Sequence, residues 1–176
     1  MIWLTPARRA TIVWISIGAA VFAAAAGAGF ALWPPVAPPA SASDRVVAAL
    51  LLLRWPAALV LAMTMSLFRL FDSEGALDPL DGQPSRRHRV NQRVLQNTIE
   101  QLVVFVPSVL GLAAVATEPA TYRLVSLAVA LFCLGRALFW GGYHVSPNAR
   151  GLGFNMTFST SVAALVLTFV LAQTNA

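Results

Sequence analysis

The chain contains no lysine and a single cysteine, and only 11% of its residues are charged. One cysteine excludes an internal disulfide, and Cys133 lies inside an apolar run, where a buried structural thiol is expected. His88 and His144 are far apart in sequence, and no group of Cys, His, Asp and Glu residues has metal-ligand spacing. A glycine-rich phosphate loop is also missing. These absences predict no metal site and no nucleotide site.

Apolar residues make up 58% of the 176-residue chain, which is more than a soluble domain of this size could bury. The formal charge of +5 comes entirely from arginines, which flank the apolar stretches instead of forming a soluble basic patch. This distribution indicates a membrane and no nucleic-acid partner. Basic residues that are all arginine suggest a GC-rich genome, and we therefore expect a bacterial inner membrane protein.

Five apolar runs are each close to the roughly 20 residues that cross a bilayer core. Backbone groups in lipid must be hydrogen-bonded within their own segment, so all five are predicted to be helices, with local kinks tolerated at Pro56 and Pro107. The runs are Ala10–Leu32, Val46–Phe71, Val94–Ala116, Tyr122–Tyr143 and Leu152–Ala172.

The first run allows two interpretations. Arg8 and Arg9 precede it, and Ala40-Ser41-Ala42 resembles a signal-peptidase site. However, the run is longer than a usual signal core, and a proline-rich stretch separates it from the candidate cleavage site. We expect a retained helix, which makes residues 1–45 an extra N-terminal helix with a linker and residues 46–176 the main membrane domain. A mature N-terminus at Ser43 would contradict this expectation.

Arginine placement predicts the orientation in the membrane. Arginines precede the first run, cluster at residues 86–93 between the second and third runs, and recur at Arg150 between the fourth and fifth. Cytoplasmic loops carry an excess of basic residues. An odd number of crossings places all three regions on one side, so the N-terminus is predicted to be cytoplasmic and the C-terminus outside.

The third run begins with the polar pattern Arg93-x-x-x-Asn97-x-x-Glu100. Spacings of four and three residues place these side chains on one helical face. A carboxylate inside a membrane helix needs a partner or a wet cavity, because its burial alone costs several kcal/mol. Glu100 could therefore form a purely structural salt bridge with Arg136 in the next run, or it could bind a ligand.

A second polar series runs from the fourth run into the fifth and comprises Arg136, Tyr143 and Arg150. Arg136 and Tyr143 are seven residues apart and share a helical face. Arginine forks bind carboxylates, and Glu100 can take an ammonium. Together the two series suit a small zwitterionic ligand that is rich in carboxylates.

These two series resemble the second, third and fourth helices of the MAPEG family, the membrane-associated proteins in eicosanoid and glutathione metabolism. The resemblance implies an all-α, four-helix transmembrane bundle with one extra N-terminal helix. Family members assemble as homotrimers and bind glutathione as a co-substrate between neighbouring subunits near the cytosolic face. The expected partners are therefore glutathione, an apolar electrophile from the lipid phase, membrane lipid and two further copies of the chain.

The resemblance also implies a role for each polar residue. Arg93 would hold a glutathione carboxylate, Asn97 and Glu100 would engage the γ-glutamyl end, and Tyr143 would contact the tripeptide. Arg150 would stabilise the thiolate and is the predicted catalytic residue.

Arg136 and Arg69 complete the predicted binding set, although no tight motif fixes the position of Arg69. Phe139 stands where some relatives have a polar residue near the thiol, so a hydrogen bond from that position is lost. The predicted function is a membrane-bound glutathione transferase, with peroxide reduction as a related activity. The alternative is a non-catalytic, lipid-binding scaffold protein of the same fold.

Overall fold

The computed structural model describes residues 5–68, 72, 77–78, 80, 82–146 and 148–174. These residues form helices and connecting segments without any strand. The helices, in chain order, are α1 Pro6–Leu32, α2 Ala42–Leu52, α3 Arg54–Met65, α4 Arg86–Val115, α5 Pro119–Val145 and α6 Arg150–Thr174.

Among the described residues, five segments are long and apolar enough to cross a membrane, with α2 and α3 together forming one span over Ala42–Met65. Large apolar side chains remain exposed along these helices, for example Leu61, Val103 and Phe169. Exposed apolar surface of this extent is stable only in lipid. The protein is therefore an integral membrane protein, and the predicted all-helical fold is confirmed.

Pro56 explains why the predicted second run is two helices. A proline ring clashes with the carbonyl four residues earlier, here that of Leu52, and offers it no N–H donor. α2 accordingly ends at Leu52, and α3 begins at Arg54 after a single intervening residue. Pro107 lies inside α4, which nevertheless continues without interruption from Arg86 to Val115.

Short polar residues fix where several helices begin. The hydroxyl of Ser85 accepts a hydrogen bond from the His88 amide at 3.1 Å, and Ser41 caps α2 in the same way through Asp44. Such caps satisfy amides that have no partner within the helix. The Ser85 cap sets the register of α4, and with it the height at which Arg93 lies.

The core lies between α4, α5 and α6, where Phe105 stacks on Phe132 with ring centroids 4.1 Å apart. A smaller apolar cluster that includes Met63, Val94 and Phe139 fills the end of the bundle where α4 begins. Polar side chains gather directly beside this second cluster, so it forms the floor of the site described below.

Arg45 connects the linker to the end of α4, at the end of the bundle opposite this second cluster. Its buried guanidinium donates to the carbonyls of Ala113 and Ala114 at the end of α4 and to Pro39 and Ala40 in the linker. Carbonyls at a helix end have no partner within the helix, and a cation there also interacts favourably with the helix dipole. This contact joins the proline-rich linker to the bundle.

Candidate functional site

A cavity of about 840 Å³ opens at the end of the bundle where α4 and α6 begin and α5 ends. The first half of α1 forms part of its wall, so this cavity brings the starts of three helices together. The arginine-rich starts of α1 and α4 and the start of α6 thus share one end of the molecule, although the helices are far apart in sequence.

α4 contributes one polar wall to the cavity. Arg93, Asn97 and Glu100 all line it, together with Gln96, because they occupy one face of this continuous helix. The Gln96 amide donates to the Glu100 carboxylate at 3.2 Å. This bond holds the acid in the cavity, where its side chain remains exposed.

Arg136 lies behind that wall and is fully buried. Its guanidinium donates to Asn97 Oδ1 at 2.9 Å and to the hydroxyl of Thr157 on α6. It also lies over the ring of Phe139, 4.6 Å from the centroid. Arg136 therefore takes Asn97 as its partner on α4 and leaves Glu100 to the cavity, in contrast to the structural salt bridge considered above.

The bond from Arg136 determines what Asn97 can offer to a ligand. A guanidinium only donates hydrogen bonds, so the oxygen of Asn97 must face Arg136. The amide nitrogen, which carries two donor hydrogens, is then left on the cavity side. Such a group suits a carboxylate better than an ammonium.

Tyr143, near the end of α5, and Arg150, at the start of α6, also line the cavity. The Arg150 guanidinium donates to the Tyr143 hydroxyl at 3.2 Å and lies 4.8 Å from the centroid of its ring. Arg150 is also the first residue of α6, and the dipole of that helix gives this end a partial positive charge. An anion in this part of the cavity would meet a guanidinium, a phenol and a helix N-terminus together.

The remaining lining is aromatic. Phe139 forms part of the floor and meets Tyr143 edge to face, with centroids 5.6 Å apart. Phe154 and Phe158 follow on α6, with ring planes only 7° apart. The cavity is thus lined by both charged and aromatic side chains, and Arg150 precedes Phe154 by about one turn of α6.

Sequence reasoning missed several of these residues, most clearly Thr11, Trp14 and Ile15 on α1. A weak signal was present, because Thr11, Trp14 and Gly18 recur at intervals of three and four on a mostly aliphatic helix. Thr157 was also missed, although it is seven residues after Arg150 and therefore shares its face of α6.

Two further residues from the sequence analysis are Arg69 and Cys133. Arg69 is outside the residues that the structure describes. Cys133 packs beside the apolar core cluster that contains Phe132, away from the cavity. Within the described ranges, no three His, Cys, Asp or Glu residues are placed to hold a metal ion.

Comparison with known proteins supplies independent information. The sequence model of the MAPEG family matches residues 45–170, from the start of α2 into the last turns of α6. Transmembrane protein 79 of Mus musculus is 25% identical over 91 residues, which is 52% of this chain and 23% of that protein. The match thus spans less than a quarter of that relative's length. No solved structure matches significantly.

Proposed function

This chain belongs to the MAPEG family, and we propose that it is a membrane-bound glutathione transferase that activates the glutathione thiol for attack on apolar electrophiles. The observation that carries the proposal is that Arg93, Asn97 and Glu100 line the same cavity as Tyr143 and Arg150. The cavity therefore combines polar groups suited to a zwitterion with a cation and aromatic side chains.

The charges of the site complement those of glutathione. Arg93, Arg136 and Arg150 with Glu100 give three guanidinium groups and one carboxylate in and behind the cavity. Glutathione carries two carboxylates and one ammonium at neutral pH. In the proposed pose, Arg93 binds one carboxylate, the Asn97 amide donates to the γ-glutamyl carboxylate, and Glu100 accepts the ammonium.

Arg150 is the proposed catalytic residue. A free thiol has a pKa of about 8.5, so only a few per cent is thiolate at neutral pH, and thiolate is the nucleophile. A guanidinium next to the sulfur lowers that pKa, and each unit corresponds to about 1.36 kcal/mol. The amides at the start of α6 act in the same direction. The Tyr143 hydroxyl positions Arg150 for this role through the bond between them.

The chemical step is a nucleophilic attack. The thiolate forms a carbon–sulfur bond to the electrophile, whose leaving group departs with the bonding electrons; an unsaturated acceptor instead takes up a proton. In this proposal the electrophile enters the cavity from the lipid and contacts its aromatic side chains. We propose a cytoplasmic position for this end of the bundle, because its arginines follow the distribution of inner-membrane proteins.

A glutathione titration that follows the ultraviolet absorbance of the thiolate tests the proposal. Wild-type protein should give a thiolate signal at neutral pH, and Arg150→Ala should lose most of it while it still binds glutathione. Arg89→Ala is the matched control, since Arg89 is exposed at the start of α4, bonds the Pro84 carbonyl and does not line the cavity. This variant should behave as wild type.

The alternative outcomes separate the remaining possibilities. Glutathione binding without a thiolate signal would support the non-catalytic scaffold of the same fold. An absence of glutathione binding would refute the proposed site, whichever activity the protein has.

We also propose the homotrimer of the family. Native mass spectrometry of the detergent-solubilised protein should show three copies, and a monomer would refute this assembly.

A further inference from the structure

We propose that α1, which precedes the family match, contributes to ligand binding in the site, and that Trp14 makes the site prefer flat, conjugated electrophiles to aliphatic ones. The inference rests on the proposed glutathione transferase function. It concerns a helix that the match to residues 45–170 leaves out and to which the resemblance assigns no role.

α1 is held against α6 at the height of the cavity. Gly18 faces Asn155 so closely that a Cβ at Gly18 would lie 2.8 Å from the Asn155 Cβ. The Asn155 amide also donates to the backbone carbonyl of Ile15. Side-chain hydrogen bonds to helix backbone in a membrane fix the relative register of two helices. Trp14 is consequently fixed beside the start of α6.

The other end of α1 is anchored independently. Arg123 on α5 donates to the carbonyl of Trp33 at 2.9 Å, and its guanidinium lies 3.9 Å from the centroid of the Phe30 ring. The Trp33 indole donates to the hydroxyl of Ser126 at 3.1 Å. Anchors at both ends distinguish α1 from a loosely attached membrane tether, so its cavity residues have a defined position.

The residues around Trp14 define the chemistry of the ligand. Trp14 lines the same cavity as Phe139, Phe154 and Phe158. Phe154 and Phe158 are nearly parallel, with centroids 6.1 Å apart. Aromatic side chains bind other π-systems in offset-stacked or edge-to-face arrangements beyond what apolar contact alone provides. These aromatic side chains should therefore favour a planar electrophile, such as a nitro-activated aryl halide, from which sulfur displaces halide.

Glutathione conjugates test this inference without turnover. The full-length protein is titrated with glutathione, S-hexylglutathione and S-(para-nitrobenzyl)glutathione. In Trp14→Ala, the Kd of glutathione should stay within about twofold of wild type, whereas the aromatic conjugate should bind about tenfold more weakly, a loss of about 1.4 kcal/mol. The hexyl conjugate should lose less than the aromatic one. Trp14→Phe should recover most of the aromatic preference.

Val13→Ala is the matched control, because Val13 neighbours Trp14 on α1 but is 55% exposed and does not line the cavity. Equal losses for all three ligands in Trp14→Ala, or no loss for any of them, would overturn the inference and leave the proposed function standing. Intact-protein mass spectrometry that shows a mature protein without α1 would also overturn the inference and leave the proposed function standing. If wild-type protein binds none of the three ligands, the proposed function and this inference both fail.

Discussion

Replacing Gly153 with alanine should separate the two helices that carry Tyr143 and Arg150. α5 and α6 cross at Gly153, where an added Cβ would meet the backbone nitrogen of Phe139 and the backbone oxygen of Gly135. Backbone atoms of packed helices cannot move aside as a flexible side chain can. The helices must therefore move apart, and the contacts on either side of the crossing are lost.

Two opposing contributions determine the change in the free energy of unfolding. Overpacking a close contact costs about 1–3 kcal/mol, and a clash with backbone belongs at the upper end of that range. Alanine is favoured over glycine in a helix by up to about 1 kcal/mol, which offsets part of the cost. A net loss of about 2 kcal/mol remains, which lowers the Tm by roughly 4–8 °C for a protein of this size.

Thermal unfolding in detergent measures this shift. The half-buried Cys133 is the chain's one thiol, so a thiol-reactive dye reports unfolding at a single position. Gly141→Ala is the control, because Gly141 lies on α5 with no atom within 4 Å of an added Cβ. It should melt at or slightly above the wild-type temperature. A Gly153→Ala variant that melts like Gly141→Ala would refute the packing of α5 on α6 described above.

Three further predictions concern charge. Arg45→Met leaves backbone carbonyls in the linker and at the end of α4 unpaired, so thermal unfolding should show a free energy of unfolding that is lower by about 3 kcal/mol. The control Arg54→Met replaces an exposed arginine and should lose under about 1 kcal/mol. Equal losses in the two variants would contradict the role of Arg45. Asn97→Ala removes an acceptor of buried Arg136 and the proposed donor to glutathione, so the free energies of unfolding and of glutathione binding should each fall by about 1–3 kcal/mol. An unchanged glutathione affinity in calorimetry would refute the proposed contact between Asn97 and glutathione. The rate of conjugation by wild-type protein should fall with decreasing pH as the bound thiolate protonates, and the midpoint of this profile should lie below the free-thiol pKa of about 8.5. Arg150→Ala should raise that midpoint. An unshifted pH profile would refute thiolate stabilisation by Arg150.

The membrane fold was predictable because its determinants are local. Apolar runs of about 20 residues identify spanning helices by composition and length alone. The predicted runs correspond to the five spans of the structure, with differences of several residues at their ends. α4 begins in polar sequence at Arg86, before the predicted start at Val94, and α3 ends at Met65 although the predicted run continued to Phe71. The break before Arg54 also has a local cause in Pro56, but sequence alone did not distinguish a kink from two helices.

The arrangement of the site was predictable only within each helix. Spacing placed Arg93, Asn97 and Glu100 on one face, because helix geometry fixes that relation. The partner of Arg136 depends on how α4, α5 and α6 pack against one another, and side chains such as Asn97 and Thr157 compete for it. Composition cannot rank such partners.

The position of α1 was the least predictable feature, for a related physical reason. Helices in lipid gain little from hiding apolar surface against one another, so their pairing depends on close fit and on individual hydrogen bonds. At α1 these are the approach of Gly18 to α6 and the bond from Asn155 to the Ile15 carbonyl. A glycine or an asparagine in an apolar run does not identify its partner helix.

Arg136 links the packing of the bundle to the proposed chemistry. It is a permanent charge at a fully buried position, and the two side chains to which it donates hydrogen bonds, Asn97 and Thr157, are neutral. A charged group in a membrane helix costs several kcal/mol unless its charge is balanced. Glu100, the acid on the facing helix, is instead held in the cavity by Gln96, where it remains available to a ligand ammonium. An anionic ligand bound at Asn97 would supply the missing negative charge, with only the Asn97 side chain between the ligand and Arg136. The proposed binding of glutathione and the stability of the bundle therefore depend on the same buried guanidinium.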